Sequence, residues 1–133
     1  MSEKPLGIDV ALALVHRRGR WLVARRPDHV HLGGVWEFPG GKCEPGERPQ
    51  DAAIRELLEE CGVQAQARYA LPSFTYEYPE RTVTITPVVC EWVAGDGEAH
   101  ASEECRWVTL SQLRRLEMPA ANAQVIAELQ LYA

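Results

Sequence analysis

The chain has 133 residues, of which 46% are hydrophobic and 25% are charged, and its formal net charge is −5. This length predicts one domain over residues 1–133, with a sizeable core and a short N-terminal tail at residues 1–7. The negative charge argues against a nucleic-acid polymer as partner, because binding a phosphate backbone needs an excess of lysine and arginine on one face.

A β-hairpin is predicted near the N-terminus. Residues 8–15 are rich in valine, leucine and alanine and predict a buried strand, and residues 21–24 predict its partner after a turn at Arg18-Gly19. Arg25 and Arg26 follow at the end of the second strand. From the residues alone, they fit an ordinary charged loop as well as a ligand contact.

The next segment, residues 27–35, contains His29, His31 and two glycines and indicates a mobile loop beside a site. A metal-binding histidine pair is a weaker interpretation, because no third ligand lies nearby in the sequence. Residues 35–38 then predict a strand that leads into Pro39-Gly40-Gly41. Glycine permits a close approach of backbone to a ligand, so we expect a binding site at this turn.

The most informative stretch, residues 41–63, reads GKCEPGERPQDAAIRELLEECGV. Pro49 suits a first helical turn and Gly62 suits the position that ends a helix, so a helix is predicted over residues 49–61. Arg48 stands where serine or threonine would be expected as the N-terminal cap. The start of this helix is therefore predicted to be poorly capped.

This helix has an apolar side and an acidic side at about 100° per residue. The apolar side consists of Ile54, Leu57, Leu58 and Cys61, and the acidic side consists of Glu56, Glu59 and Glu60. A solvated acidic face is one interpretation. However, like charges one turn apart destabilise a helix by a few tenths of a kcal/mol, and Arg55 is the one counter-charge available within the helix. Mg²⁺ prefers carboxylate oxygens and is commonly completed by substrate phosphates, so it would remove this repulsion.

Strands are predicted again in the second half of the chain. They cover residues 69–78 and 81–93, joined by a turn at Pro79-Glu80, and residues 105–108 after a loop that ends in Glu103 and Glu104. At the first turn, Tyr78 fits a packing residue at the end of a hairpin, and Arg81 fits a solvated turn charge.

Two helices are predicted at the C-terminal end. Thr109 and Gln112 form a capping-box pattern that opens a short helix to about residue 116, and Pro119 opens the last helix, to about residue 132. Asn122 falls on a side of that helix otherwise made for burial. It fits a helix cap, or a group that reads the hydrogen-bonding edge of a ligand, since an amide carries both donors and an acceptor.

The four cysteines, Cys43, Cys61, Cys90 and Cys105, show no spacing typical of a zinc site. Reduced thiols in a cytoplasmic protein are the expected state. No apolar run follows a basic segment or approaches membrane-spanning length, so neither secretion nor membrane insertion is expected.

Gly41, Glu47 and residues 55–63 fit, without a departure, the signature G-x5-E-x7-R-E-U-x-E-E-x-G-U of the Nudix hydrolases, in which U is a bulky aliphatic residue. So many fixed positions at fixed spacing are very unlike a chance match. Residues 36–42 (WEFPGGK) and 118–127 (MPAANAQVIA) resemble the MutT branch of this family. The resemblance therefore covers nearly the whole chain.

The resemblance implies an α/β class protein with the Nudix fold, an α/β/α sandwich with a mixed sheet. It implies Mg²⁺-dependent hydrolysis of a nucleoside triphosphate to the monophosphate and pyrophosphate, with Mn²⁺ as an alternative ion. The metal site that it implies consists of Glu56, Glu59 and Glu60, with Glu47 and the carbonyl of Gly40 nearby. Arg55 would hold the loop carboxylate in place, and the proposed general bases are Glu56, Glu103 and Glu104.

The same resemblance places Arg26, His31, Phe38, Tyr78, Arg81 and Asn122 beside the nucleotide. The first functional hypothesis is hydrolysis of 8-oxo-dGTP, which sanitises the nucleotide pool and so serves DNA repair and replication. The alternatives are a Nudix enzyme that prefers another nucleotide, such as a pyrimidine triphosphate, and a Nudix domain that binds nucleotides without hydrolysing them. A small-molecule substrate, no membrane partner, and a monomer or weak homodimer are expected.

Overall fold

The framework of the molecule is a mixed β-sheet with helices on both faces. The computed structural model describes residues 6–27, 29, 33–100, 102 and 104–132. Within them the elements follow in the order β1 (Leu6–Arg17), β2 (Arg20–Arg25), β3 (Trp36–Glu37), β4 (Gly40–Lys42), α1 (Pro49–Cys61), β5 (Gln64–Ala70), β6 (Phe74–Tyr78), β7 (Arg81–Ala94), β8 (Glu104–Val108), α2 (Leu110–Leu113) and α3 (Ala120–Tyr132).

The strands are connected through β1 and β7. The order along the sheet is β3-β2-β1-β7-β5, and β4, β6 and β8 pair with β1, β7 and β2 respectively. β1 and β7 run parallel, with Leu6 opposite Arg81 and Leu12 opposite Pro87. The β1–β4 pair is antiparallel and places Gly40 opposite Leu12, so the glycine turn lies on the middle of the central strand.

Side-chain alternation along β1 divides the interior into two cores. Ala11, Ala13 and Val15 pack with Leu57 and other α1 residues on one face. Leu14 packs on the other face, in a cluster that includes residues of α2 and α3. The mixed sheet between two helical layers confirms the expected α/β/α sandwich.

Local sequence signals at the helix ends are confirmed. α1 has the predicted bounds, Gly62 ends it at φ 64°, and Arg48 makes no side-chain hydrogen bond as a cap. Thr109 and Gln112 form the predicted capping box, although α2 ends at Leu113 rather than near residue 116. No helix in the described part of the chain is long and apolar enough to cross a membrane.

The strand predicted over residues 69–78 is two strands. β5 pairs with the end of β7 and β6 with its beginning, so Ala70 opposes Val88 and Phe74 opposes Ile85. Between them lies Pro72, which has no N–H to donate to a ladder. At the N-terminus, Leu6 and Gly7 belong to β1 rather than to the predicted tail, because they pair with β7.

One prediction about a helix face and one of the two interpretations of Asn122 are wrong. Leu58 is 48% exposed, because the buried stripe of α1 runs through Ala53, Leu57 and Cys61 and leaves Leu58 to one side. Asn122 is not a helix cap, since α3 begins at Ala120 and Asn122 lies within its first turn.

Candidate active site

Two glycines let the backbone of β4 lie directly against the acidic side of α1. The Gly40 amide donates to Oε2 of Glu60 at 3.3 Å. A Cβ atom on Gly41 would lie 2.6 Å from the carboxylate carbon of Glu56, and one on Gly40 would collide with the backbone oxygen of Ala11. A larger residue at position 41 would therefore displace the Glu56 carboxylate, and one at position 40 would displace the backbone of β1.

Arg55 connects the loop before α1 to the helix. Its Nε and Nη2 donate to the two carboxylate oxygens of Glu47, both at 3.0 Å. Nη1 donates to Glu56 Oε1 at 3.0 Å, and Nη2 also donates to the backbone oxygen of Lys42 at 3.0 Å. A bidentate guanidinium–carboxylate pair fixes direction as well as distance, so Arg55 orients both carboxylates.

The charge state of Glu47 follows from this pairing. Hydrogen bonds from Arg55, and then from the backbone N–H of Glu44, lower the pKa of Glu47 to about 2. The same contact is the main cause of a raised pKa for Arg55. Both side chains are therefore ionised at any pH at which the enzyme would work.

Glu60 has the opposite environment. Burial is the main cause that raises its pKa from the usual 4.5 to about 8; the hydrogen bond from Gly40 opposes this shift, and the carboxylates of Glu56 and Glu37 add to it. Glu59 instead has a side chain that is 59% exposed and lies 3.4 Å from Nη1 of Arg55. The three helix glutamates thus do not share one environment, since Glu60 turns towards the sheet.

The side chains at this site suit a hard divalent cation. Among the described residues, no three His, Cys, Asp or Glu side chains are already arranged around one ion position. The partly buried Glu56 and Glu60 nevertheless supply only oxygen donors, and their mutual repulsion raises the pKa of Glu60. A divalent cation would relieve that repulsion, and carboxylate oxygens are the ligands that Mg²⁺ prefers.

We expect the metal-free protein to lose stability as the pH rises from about 5 to about 8. Below its ordinary pKa of 4.5, Glu60 is protonated in both the folded and the unfolded protein. Between pH 4.5 and about 8, Glu60 ionises in the unfolded protein but stays largely protonated in the folded one. The free energy of unfolding therefore falls as the pH rises through this range. Urea unfolding with a chelator present, at several pH values, measures this slope.

A matched pair of variants isolates the contribution of Glu60. Glu60→Gln should flatten the profile, whereas Glu77→Gln, at an exposed position of β6, should leave it unchanged. An equal slope in wild type and Glu60→Gln would contradict the assignment.

Glu37 is a site residue that the sequence did not reveal. It lies between buried Trp36 and Phe38, and its carboxylate is 3.3 Å from Nη1 of Arg26. Burial raises its pKa, although the charge of Arg26 and its hydrogen bond oppose this. A charged residue between two aromatic residues just before a glycine pair was the available signal.

The start of α3 lies beside β3, on the other face of the sheet from α1. Trp36 N donates to the backbone oxygen of Glu117 at 2.8 Å, and Phe38 packs in the same core as Val125. Phe38 is 2% exposed and Asn122 is 6% exposed. Within the residues that the structure describes, the Asn122 side-chain amide makes no hydrogen bond and its polar atoms are not fully sealed from solvent, so its donors and acceptor are available to a ligand.

Tyr78 and Arg81 lie together at the β6–β7 hairpin, with the guanidinium 5.6 Å from the centre of the tyrosine ring. Arg81 pairs with Leu6, six residues along β1 from the Leu12 that opposes Gly40. At a rise of ~3.3 Å per residue this is about 20 Å. The structure therefore does not bring this pair into contact with the acidic cluster.

The remaining predicted residues are Glu104, His31 and Glu103. The Glu104 carboxylate accepts a hydrogen bond from Nη2 of Arg106 at 2.8 Å. Along β8, the side chains of Glu104 and Arg106 point to the face opposite that of Cys105, and Cys105 contacts α1. The carboxylate of Glu104 thus lies on the face opposite α1, away from Glu56 and Glu60. His31 and Glu103 lie outside the described residues.

Comparison with known proteins identifies the family. A family model described as "NUDIX domain" matches residues 10–128. An 8-oxo-dGTP diphosphatase of Escherichia coli is 32% identical over 92% of this chain and 96% of its own, and a CTP pyrophosphohydrolase of the same organism is 32% identical over 89% of this chain and 86% of its own.

The fold comparison gives the same result. The structure of the MutT protein from Methanosarcina mazei matches with a TM-score of 0.85 and 24% identity, over 98% of each chain. The chain belongs to the Nudix family.

Proposed function

We propose that this protein is a Nudix nucleotide diphosphatase that hydrolyses 8-oxo-dGTP to the monophosphate and pyrophosphate. The observation that carries the reaction type is the partly buried pair Glu56 and Glu60 against the glycine turn, with Arg55 fixing Glu47 beside it. The substrate is supported by a relative named 8-oxo-dGTP diphosphatase, aligned over 92% of this chain.

Different residues of the chain have different proposed roles at the phosphates. Glu47, Glu56, Glu59, Glu60 and the Gly40 carbonyl would hold Mg²⁺, or Mn²⁺ in its place. When bound, such an ion supplies positive charge to the phosphate oxygens and lowers the pKa of its water. Arg55 orients Glu47 and Glu56, and Glu56 is the proposed base that accepts the proton of the attacking water. Glu103 remains an alternative base, whereas Glu104 does not, because its carboxylate lies on the face of the sheet opposite α1.

The guanine base is proposed to lie against Phe38 and Asn122. Phe38 offers a buried apolar surface, and the Asn122 amide offers donors and an acceptor without a partner in the described part of the chain. Arg26, held by Glu37, and His31 are proposed for the phosphate or sugar. Tyr78 and Arg81 have no place in this arrangement, because the β6–β7 hairpin lies about 20 Å along β1 from the glycine turn.

A pyrimidine triphosphate is the second candidate substrate. The relative named CTP pyrophosphohydrolase and the 8-oxo-dGTP diphosphatase of Escherichia coli are each 32% identical to this chain. The catalytic residues would be the same, and only the base pocket would differ. Binding without hydrolysis is disfavoured, because every glutamate of the signature is present.

The test is hydrolysis of a nucleotide panel at limiting concentration with Mg²⁺ and, separately, with Mn²⁺. We expect the highest kcat/KM for 8-oxo-dGTP among 8-oxo-dGTP, dGTP, the pyrimidine triphosphates and ADP-ribose, with no hydrolysis in the presence of a chelator. A preference for CTP or dCTP would replace the substrate and keep the site. Binding without turnover of any nucleotide would overturn the proposed reaction.

The proposed setting is sanitation of the nucleotide pool in the cytoplasm. We propose a single Nudix domain over residues 1–133 that acts as a monomer or weak homodimer. Its partner is a small nucleotide rather than a nucleic-acid polymer, as the net charge of −5 favours.

A further inference from the structure

The loop that follows β7 closes the C-terminal end of α1. Glu98 N donates to the carbonyl of Cys61 at 2.8 Å, and His100 N donates to the carbonyl of Glu60 at 3.0 Å. These are carbonyls that a helix end leaves without a partner inside the helix. At Gly95, a Cβ atom would lie 2.5 Å from the Gly62 oxygen. The end of α1 and this loop therefore form one closely packed junction.

Two cysteine side chains meet beneath this junction. The Sγ atoms of Cys61 and Cys105 are 3.5 Å apart, and both thiols are free. Cys61 is the last residue of α1 and fully buried, whereas Cys105 lies on β8 and is only partly buried. A disulfide needs about 2.0 Å between the sulfurs, so the two sulfurs would have to approach each other by about 1.5 Å.

We propose that Cys61 and Cys105 are a reversible oxidation site, at which hydrogen peroxide converts the two thiols into an intramolecular disulfide. The more accessible sulfur, Cys105, attacks one peroxide oxygen; the O–O bond breaks, one water leaves, and a sulfenic acid remains. The sulfur of Cys61 then attacks the sulfenic sulfur, the S–O bond breaks, and a second water leaves with the Cys61 proton. The two thiols lose two electrons in total, and the peroxide gains them.

This disulfide would join the acidic helix to the sheet. Residues 61 and 105 are 44 positions apart, so the bond closes a long loop and restricts the unfolded chain. We expect oxidation to raise the Tm by about 5–10 °C and reduction to reverse the change. The site does not depend on which nucleotide is hydrolysed.

The experiment treats the full-length protein with hydrogen peroxide without reductant, followed by alkylation and mass spectrometry. We expect loss of two hydrogen atoms, two fewer alkylated thiols, and recovery of both with dithiothreitol. Cys90 shares the tryptic peptide of Cys105, residues 82–106, so the cross-link to residues 56–68 is mapped in Cys90→Ala.

Single substitutions assign the pair. Cys105→Ser should abolish the cross-link and the rise in Tm, and Cys61→Ser should do the same if its buried position tolerates serine. Cys43→Ser, at a partly buried thiol outside the pair, should retain both. Addition of oxygen to Cys105 without a cross-link, a disulfide between two chains, or four unreacted thiols would each overturn the proposal.

Discussion

Glu60→Gln and Glu56→Gln should each lower kcat/KM for nucleotide hydrolysis by about 10²–10⁴-fold, while the fold remains intact. Glutamine keeps the shape of glutamate but carries no negative charge, so it weakens a hard-cation site and cannot accept the proton of water. The measurement is kcat/KM for 8-oxo-dGTP with saturating Mg²⁺, together with thermal unfolding of each variant.

Glu60→Gln should also have an effect that a damaged fold would not produce. Burial raises the pKa of Glu60 to about 8, so the wild-type carboxylate destabilises the metal-free fold once it ionises. The variant should therefore have the lowered kcat/KM and yet, without metal at pH 8, be at least as stable as wild type. Glu77→Gln, on exposed β6, is the control. Full activity of Glu60→Gln would refute the site.

Asn122→Ala should lower kcat/KM for 8-oxo-dGTP by about 10–100-fold, since hydrogen bonds from a buried amide to a base are worth roughly 1–3 kcal/mol when one partner is removed. Hydrolysis of a pyrimidine triphosphate should change much less. The ratio of the two kcat/KM values measures the contribution of the amide to base preference.

Gln124→Ala is the matched control for that experiment, because it removes an exposed amide from the same helix. It should leave the ratio unchanged. If Asn122→Ala lowers hydrolysis of both nucleotides equally, Asn122 supports the fold of the pocket and does not read the base.

The two experiments separate chemistry from recognition. The glutamates of α1 and Asn122 of α3 lie on opposite faces of the sheet, and their effects should be independent. A preference for CTP in the nucleotide panel would leave the expectation for Glu60 intact and remove the one for Asn122.

Local signals gave α1 correctly. Pro49 and Gly62 set its bounds, and the spacing of Glu47, Arg55 and Glu56 identified the family, because these properties depend on residues close together in the chain. Pro72 marks the break between β5 and β6, but no local signal shows that the two strands pair with different parts of β7.

The sequence by itself determined the family, the acidic helix α1 and the glutamates on it, since these follow from local propensity and fixed spacing. Only the tertiary structure decided that Glu60 is buried while Glu59 is exposed, and that Glu37 meets Arg26. It also decided that Cys61 and Cys105 touch across 44 residues. Burial and long-range contacts depend on how the helices pack on the sheet. Packing brings together residues that are far apart in the chain, and their positions in the sequence do not indicate the contact.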